Sequence, residues 1–187
     1  MPPTSPAVAQ FEFHPLAASN APLLLEATTA NLNWCGERFT AEQVRSTPEL
    51  AHYCQLQPDR GDYGILAIDA HQRWAGAAWV VYPPATDPGY GFIAPDIGEL
   101  SLCVHAAFRG QGLGRELLRR AVAYAEHRGE RAMSLSVEAE NFARVLYFSE
   151  GFVPAPEATN AGTMIKSIGG RRNSRRPNRS RGGSVLA

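Results

Sequence analysis

Residues 109–114 read Arg-Gly-Gln-Gly-Leu-Gly, and this stretch decides the fold because of what lies on either side of it. Before it, residues 98–104 alternate apolar and small or polar side chains, as a strand does. After it, residues 113–128 have the apolar spacing of a helix. The glycines therefore precede a helix, whose first backbone N–H groups lack intrahelical partners and can bind phosphate oxygens. Because Arg109 adds a cation, the stretch favours a phosphorylated ligand.

Two common phosphate-binding loops fit this stretch poorly. A P-loop needs Gly-Lys-Ser/Thr at its end, whereas Gly114 is followed by Arg115 and Glu116. A dinucleotide fingerprint needs Gly-x-Gly-x-x-Gly, and here the third glycine comes one residue early. The stretch does match Arg/Gln-x-x-Gly-x-Gly, read as Arg109, Gly112 and Gly114, and it resembles the coenzyme A loop of the GNAT superfamily of N-acetyltransferases.

A second block supports the same resemblance. An ordinary strand-to-helix turn could also supply the first block, but residues 132–137 then alternate like a strand and are followed by a helical segment, residues 141–152. That segment is similar to the family's second signature, which runs Asn, then Ala, then Leu-Tyr, and closes with Gly-Phe. The resemblance is strong over residues 98–152, diffuse before them and absent after about residue 168.

The resemblance implies an α+β fold with a mixed, mainly antiparallel central sheet flanked by helices. It also implies an acyltransferase that transfers an acetyl group from acetyl-CoA to a primary amine by direct attack on the thioester. A second class stays open, namely a non-catalytic acyl-CoA-binding regulatory domain. The sequence does not identify the acceptor, because small amines, amino acids, antibiotics and protein amines all fit. It does not indicate the oligomeric state either.

The resemblance places the cofactor against the backbone of the glycine-rich loop and of the strand before it. In that strand, a backbone N–H at or near Cys103 or Val104 is expected to polarise the thioester carbonyl. Asn141 is expected to contact the cofactor, although it also occupies an N-cap position. The predicted cofactor-binding residues are Leu102, Cys103, Val104, Arg109, Gly110, Gln111, Gly112, Leu113, Gly114 and Asn141.

Tyr147 is the candidate general acid, which by resemblance protonates the coenzyme A thiolate. Helical spacing predicts that Phe142, Val145, Leu146 and Ser149 form the packing face of their helix and that Tyr147 lies off it. The alternative is a partly exposed aromatic side chain that packs against the glycine-rich loop.

Glu99 is the candidate general base, since a glutamate on this strand activates the amine in several family members, often through water. Strand alternation predicts that it shares a face with Ser101 and Cys103. A solvated glutamate at the strand edge is the alternative. Cys103 is interpreted as a small strand residue near the cofactor rather than a nucleophile, because no His lies in a recognisable partner motif.

Aromatic residues outside the two blocks are candidates for an acceptor pocket. Trp34 is expected to line it together with Tyr90 and Phe92 from a loop rich in Pro and Gly. Trp74 and Trp79 lie in a predicted strand and are interpreted as core or pocket wall. The five histidines show no metal-ligand spacing, so no metal is expected.

The remaining sequence predicts the order of the other elements, with a capping box at Thr40 and Gln43. The predicted elements are a strand at 8–14, helical segments at 21–33 and 40–56, a hairpin of 63–69 and 74–82, a loop at 83–96 and a final strand at 162–168.

Composition predicts the extent of the folded domain and the compartment in which the protein works. The 187 residues carry no net charge, but residues 166–187 hold seven basic side chains and no acid, which leaves 11 basic against 18 acidic side chains elsewhere. We therefore expect a flexible segment at 1–7, one domain at 8–168 and a disordered basic tail at 169–187, through which alone nucleic acid could bind. Three cysteines without framework spacing, no apolar run of membrane-spanning length and no signal-like N-terminus predict a cytoplasmic protein without a membrane partner.

Overall fold

The computed structural model describes residue 8 and residues 10–169, so the predicted flexible segment and nearly all of the predicted basic tail lie outside the described residues. Within them, seven strands form one sheet in the order β1-β2-β3-β4-β5-β7-β6. The strands are β1 Glu12–Pro15, β2 Tyr63–Ile68, β3 Trp74–Val81, β4 Gly98–Val104, β5 Ala132–Ser136, β6 Val153–Pro154 and β7 Thr163–Ser167. The helices are α1 Ala21–Leu32, α2 Ala41–Ser46, α3 Pro48–Ala51, α4 Leu113–Arg128 and α5 Ala143–Ser149.

The sheet is mixed and mainly antiparallel, which confirms the predicted fold class. The antiparallel pairs are β1 with β2, β2 with β3, β3 with β4, β5 with β7 and β7 with β6. The single parallel pair among the described strands joins β4 to β5, and the chain between them forms α4. This arrangement places the two sequence blocks on neighbouring strands and helices in the middle of the sheet.

Helices cover both faces of the sheet. On one face, α4 buries a stripe against β2, β3 and β4, as its spacing predicts. Its buried residues are Leu113, Leu117, Leu118, Ala121 and Ala125. On the other face, α1 and the segment after α3 pack Leu24 and Tyr53 against Trp79 and Cys103. The alternation predicted for β4 is confirmed, because Leu100 packs in the first cluster and Cys103 in the second.

Two local predictions are confirmed by hydrogen bonds. At the start of α2, the Gln43 N–H donates to Thr40 Oγ1 at 3.2 Å and the Thr40 N–H donates to Gln43 Oε1 at 2.8 Å, which is the predicted capping box. Strands β2 and β3 form the predicted hairpin, which turns through Asp69 and Arg73. Among the described residues, no helix combines the length and hydropathy that crossing a bilayer requires.

Two element predictions are corrected, and one short strand has no counterpart among the predictions. The first strand begins at Glu12 rather than residue 8, because Phe11 N–H donates to Val8 O in a turn. The helical segment 40–56 breaks into α2 and α3, because Thr47 precedes Pro48 and takes an extended ψ of 113°. Strand β6 was not predicted, since a two-residue edge strand has no periodicity to read.

Candidate active site

The strands β4 and β5 separate after a short stretch of pairing, and a cavity of about 920 Å³ opens beside the gap. They pair only at Gly98 with Met133 and at Glu99 with Ser134. Beyond that point β4 stays paired with β3 up to Val104, whereas β5 stays paired with β7 up to Ser136. The gap therefore exposes one edge of β4 to the cavity.

Backbone groups of Leu102 and Val104 face this gap. The His105 N–H donates to Ala75 O on β3 at 2.9 Å, and backbone groups alternate in direction along a strand. Cys103, two residues earlier, must then turn its N–H towards β3, while Leu102 and Val104 turn theirs towards the gap. The Val104 carbonyl accepts a hydrogen bond from Arg109 Nε at 3.1 Å, which agrees with this direction.

Cys103 lies on the other side of the strand. Its side chain is only 2% exposed and packs beside Trp79, and burial raises the pKa of its thiol to about 12. The thiol is therefore neutral near pH 7, as expected for a small strand residue rather than a nucleophile. Of the two positions named from the sequence for a polarising N–H, Val104 faces the gap and Cys103 does not.

The glycine-rich loop leads into α4 as predicted. Gly110 and Gly112 have φ values of +75° and +83°, the left-handed region in which a side chain is strained. Gly112 is the N-cap of α4, and its carbonyl accepts the first intrahelical bond from the Glu116 N–H at 3.1 Å. The N–H groups of Leu113, Gly114 and Arg115 precede that bond, so they have no intrahelical partner and lie at the positive end of the dipole of a 16-residue helix.

Glu99 is buried at the closed end of the gap, with 2% of its surface exposed. Its Oε1 atom accepts hydrogen bonds from the Tyr53 hydroxyl and from the Gly91 N–H, both at 2.6 Å. Burial raises the pKa of the carboxyl group to about 7, although both hydrogen bonds lower it. The solvated alternative for Glu99 is therefore wrong, and the carboxyl group titrates near neutral pH.

Tyr147 is buried, and the predicted packing face of α5 is wrong. Tyr147 is 7% exposed and its ring meets the Phe152 ring edge-on at 5.8 Å, whereas Phe142 and Val145 are 68% and 73% exposed. Burial raises the pKa of the Tyr147 phenol above its usual range, so the hydroxyl stays protonated. Among the described residues, none forms a hydrogen bond with this hydroxyl, and the side chain lines the cavity. The alternative interpretation of Tyr147 as a partly exposed aromatic residue is therefore wrong, because the side chain is buried.

Most residues predicted from the sequence meet around the cavity. Those that line it are Glu99, Leu102, Val104, Arg109, Gly110, Gly112, Leu113, Gly114, Asn141 and Tyr147. Gln111 is not among the lining residues, and its side chain accepts a hydrogen bond from Gln10 at 2.8 Å. The N-cap of α5 is Phe142 rather than Asn141, although Asn141 Oδ1 accepts a hydrogen bond from the Ala143 N–H at 2.9 Å, at the first residue of the helix.

Contacts between distant segments also border the cavity. Trp34 Nε1 donates to Glu138 Oε2 at 3.0 Å, and Arg38 donates to both oxygens of Glu138, at 3.1 Å and 2.9 Å. These bonds join the segment after α1 to the segment after β5. As predicted, Trp34 and Tyr90 line the cavity, whereas Phe92 is not among the lining residues.

The sequence interpretation missed Tyr53, Arg38 and Glu138. Tyr53 lies 46 positions from Glu99, and Arg38 lies 100 positions from Glu138, so no local pattern joins them. Neither an aromatic residue in a predicted helix nor a pair of oppositely charged surface residues indicates a functional site from the sequence alone.

Comparison with known proteins agrees with this geometry. The family model described as the Acetyltransferase (GNAT) family matches residues 28–152. A GNAT-family acetyltransferase from Staphylococcus aureus has a similar structure, with a TM-score of 0.64, 14% sequence identity and coverage of 85% of this chain and 99% of that chain.

Two further solved structures are similar. The ribosomal-protein-S18-alanine N-acetyltransferase from Escherichia coli has a TM-score of 0.57 and 20% identity, covering 95% of this chain and 99% of that one. The PaiA N-acetyltransferase from Thermoplasma acidophilum, in complex with coenzyme A, has a TM-score of 0.58 and 16% identity, covering 84% of this chain and 98% of that one. At these identities the likeness concerns the fold.

Proposed function

We propose that this chain, which belongs to the GNAT acetyltransferase family, transfers the acetyl group of acetyl-CoA to a primary amine by direct attack of the amine on the thioester. One observation carries the proposal. The gap between β4 and β5 has an anion-binding helix start at one side and a buried carboxylate, Glu99, at its closed end. A long phosphorylated thioester and an amine that must lose a proton need those two features together.

The loop at the start of α4 fits the phosphates of acetyl-CoA. The left-handed glycines 110 and 112 keep side chains away from the loop, and the N–H groups of Leu113 and Gly114 are free of intrahelical bonds. Arg109 adds a positive charge, and Gln111 and Asn141 complete the cofactor-binding set that we propose. The similar PaiA N-acetyltransferase, whose structure is in complex with coenzyme A, supports this assignment of the cofactor.

Acetyl-CoA supplies an activated acyl carbonyl when it is bound. We assign the polarisation of its oxygen to the backbone N–H groups of Leu102 and Val104, because these face the gap. A fixed N–H that points at developing negative charge stabilises the transition state without reorganising. Cys103 contributes through its backbone position in the strand only.

Glu99 and Tyr147 take opposite proton roles in this proposal. Glu99, with a pKa of about 7, can accept a proton from the acceptor amine near neutral pH. Tyr147 keeps its proton because burial raises its pKa, and it can give that proton to the departing thiolate. Two titratable groups whose environments favour opposite protonation states are the usual arrangement for acid and base.

The non-catalytic alternative is not supported, because the family that matches the chain is one of acetyltransferases. The acceptor remains an amine whose pocket is formed by Trp34, Tyr53 and Tyr90. Thiol release from acetyl-CoA in the presence of a panel of amines tests the proposal, with mass spectrometry to identify the acetylated product. If acetyl-CoA binds but no small amine, amino acid or protein amine is acetylated, the proposal is wrong.

A further inference from the structure

The carboxylate of Glu99 is enclosed on both of its oxygens. Oε1 accepts from the Tyr53 hydroxyl and the Gly91 N–H, as described above. Oε2 is buried and has no hydrogen-bond partner among the described residues. The backbone of Gly89 lies against it so closely that a Cβ atom on Gly89 would collide with Oε2. Although Glu99 lines the cavity, both of its oxygens are thus covered by neighbouring protein atoms.

The Tyr53 hydroxyl is the group through which a proton can reach Glu99. It donates its own proton to Oε1 at 2.6 Å and accepts a hydrogen bond from the Tyr90 N–H at 2.7 Å. A phenol oxygen has two lone pairs, and only one of them is used by Tyr90. Tyr53 also lines the cavity, so its second lone pair is available to accept a hydrogen bond from a bound amine.

We propose that Tyr53 is a further catalytic residue, which carries the proton of the acceptor amine to Glu99. The proposal rests on the proposed acetyl transfer. An N–H bond of the bound ammonium group breaks, and its electron pair stays on nitrogen for attack on the acyl carbon. The released proton bonds to the Tyr53 oxygen while the proton of Tyr53 moves to Glu99 Oε1. The step ends with a neutral amine, an intact Tyr53 hydroxyl and a protonated Glu99.

Tyr53 is the titratable side chain that faces Glu99 most directly. The loop at residues 83–96 offers backbone groups of Gly89 and Gly91, β5 places Ser134 opposite Glu99, and β3 places Val81 opposite it. On β4 itself, Ser101 and Cys103 share its face. His52 lies beyond Tyr53, with its ring centroid 6.3 Å from that of Tyr53, and its Nε2 is 3.3 Å from Asp87 Oδ1. None of these groups offers Glu99 a second exit for its proton in the described residues.

A double-variant cycle tests the relay. Tyr53→Phe should lower kcat/KM near neutral pH by about 100-fold, the lower end of what general acid–base catalysis contributes. Glu99→Gln should have a similar effect, and the variant with both changes should be no slower than Glu99→Gln alone, because the two groups act as one unit. If the two losses multiply, or if Tyr53→Phe keeps the wild-type efficiency, the relay is wrong.

Tyr63→Phe is the matched control. Tyr63 is also a buried tyrosine beside a glutamate, with its hydroxyl 3.4 Å from Glu130 Oε2, but it lies outside the cavity. It should keep wild-type efficiency. A wild-type protein that acetylates no amine would overturn the proposed function itself, whereas an active wild type with an equally active Tyr53→Phe variant would overturn the relay alone.

Two readouts do not depend on that variant's activity. In the ligand-free protein, ¹³C NMR of the Glu99 carboxyl group should show a titration midpoint that moves to higher pH in Tyr53→Phe, since the lost hydrogen bond favours the ionised form. If Tyr53→Phe does not fold, single-turnover rates of the wild type in mixtures of H₂O and D₂O decide the matter. Two protons in flight predict a curved dependence on the D₂O fraction, and a linear dependence contradicts the relay.

Discussion

Glu99 stands opposite Ser134 in the last parallel pair that joins β4 to β5. The buried Ser134 hydroxyl also donates to the carbonyl of Gly98, the residue before Glu99, at 3.4 Å. Beyond the pair of Glu99 and Ser134, the two strands separate. The carboxyl group is thus fixed at the closed end of a gap whose open edge carries the N–H groups of Leu102 and Val104. A single strand therefore carries both the base that we propose and the N–H groups to which we assign the polarisation of the acyl carbonyl.

Gly112→Val should weaken acetyl-CoA binding by more than tenfold, because the left-handed φ of +83° disfavours a branched side chain at the N-cap that presents the amides. Left-handed backbone costs a residue with a Cβ about 1–2 kcal/mol. Gly129→Val, at the other end of the same helix with φ of +76°, imposes the same strain away from the loop. Calorimetry should show weakened binding in the first variant and unchanged binding in the second. Equal affinity for acetyl-CoA in both variants would mean that the glycine-rich loop does not bind the cofactor.

Tyr147→Phe should keep the affinity for acetyl-CoA and lower kcat by about 100- to 10,000-fold, the range of general acid catalysis. The thermal midpoint should change little, because the lost hydroxyl has no hydrogen-bond partner among the described residues. Tyr82→Phe, at a half-buried tyrosine outside the cavity, is the control and should keep wild-type turnover. Single-turnover measurements report the chemical step, and an unchanged rate there would return Tyr147 to a packing role.

The parts of the fold that could be predicted are those fixed by local pattern. Gly112 and Gly129 bound α4 because both positions take a left-handed backbone conformation, which favours glycine. The 3.6-residue spacing of the leucines in α4 identifies its buried stripe. Strand alternation around Leu100 and Cys103 is local in the same sense. For this reason the glycine-rich loop, β4 and α4 lie where the sequence predicts them.

The parts that could not be predicted depend on how distant segments pack. On α5, the apolar residues Phe142 and Val145 face solvent while Tyr147 faces inward, so apolarity alone gave the wrong face. The burial of Glu99 comes from a loop that folds over it and from Tyr53, which lies 46 positions away. No single-sequence periodicity encodes such a contact.

Arg38→Leu should raise the KM for the acceptor amine while leaving acetyl-CoA affinity unchanged. Arg38 holds the segment after α1 against Glu138, which also accepts a hydrogen bond from Trp34, a side chain of the acceptor pocket that we propose. We expect a rise of up to about tenfold, which corresponds to roughly 1.4 kcal/mol. Arg131→Leu, which breaks the more exposed pair with Asp96 outside the cavity, is the control and should leave both constants unchanged. A KM that does not move would mean that this bridge has no part in acceptor binding.

Glu99→Gln should lower kcat/KM most near neutral pH and progressively less at alkaline pH, where the amine loses its proton without help. The wild-type efficiency should fall as the pH drops through about 7, because protonated Glu99 cannot accept a proton. The variant lacks this titration. Profiles for both proteins, measured with one alkylamine acceptor, test the claim. Parallel profiles with little separation would mean that another group or water takes the proton.

The burial of Glu99 should also appear in the pH dependence of stability. The folded-state pKa of about 7 lies above the ordinary value of 4.5, so the folded protein binds this proton more tightly than the unfolded chain does. Below pH 4.5 the group is protonated in both states and costs nothing. As the pH rises from there through 7, the wild type should lose stability relative to Glu99→Gln by on the order of 3 kcal/mol, and the difference should then stay constant.

Urea unfolding of both proteins between pH 5 and pH 8 measures this change, and any fixed effect of the Gln amide cancels because only the pH dependence of the difference is compared. Glu126→Gln, at an exposed position on α4, controls for the loss of one acidic side chain. If the difference between wild type and Glu99→Gln were constant across this range, the carboxyl group would not be carrying a raised pKa in the folded protein. A fall of catalysis below pH 7 would then need a different titrating group.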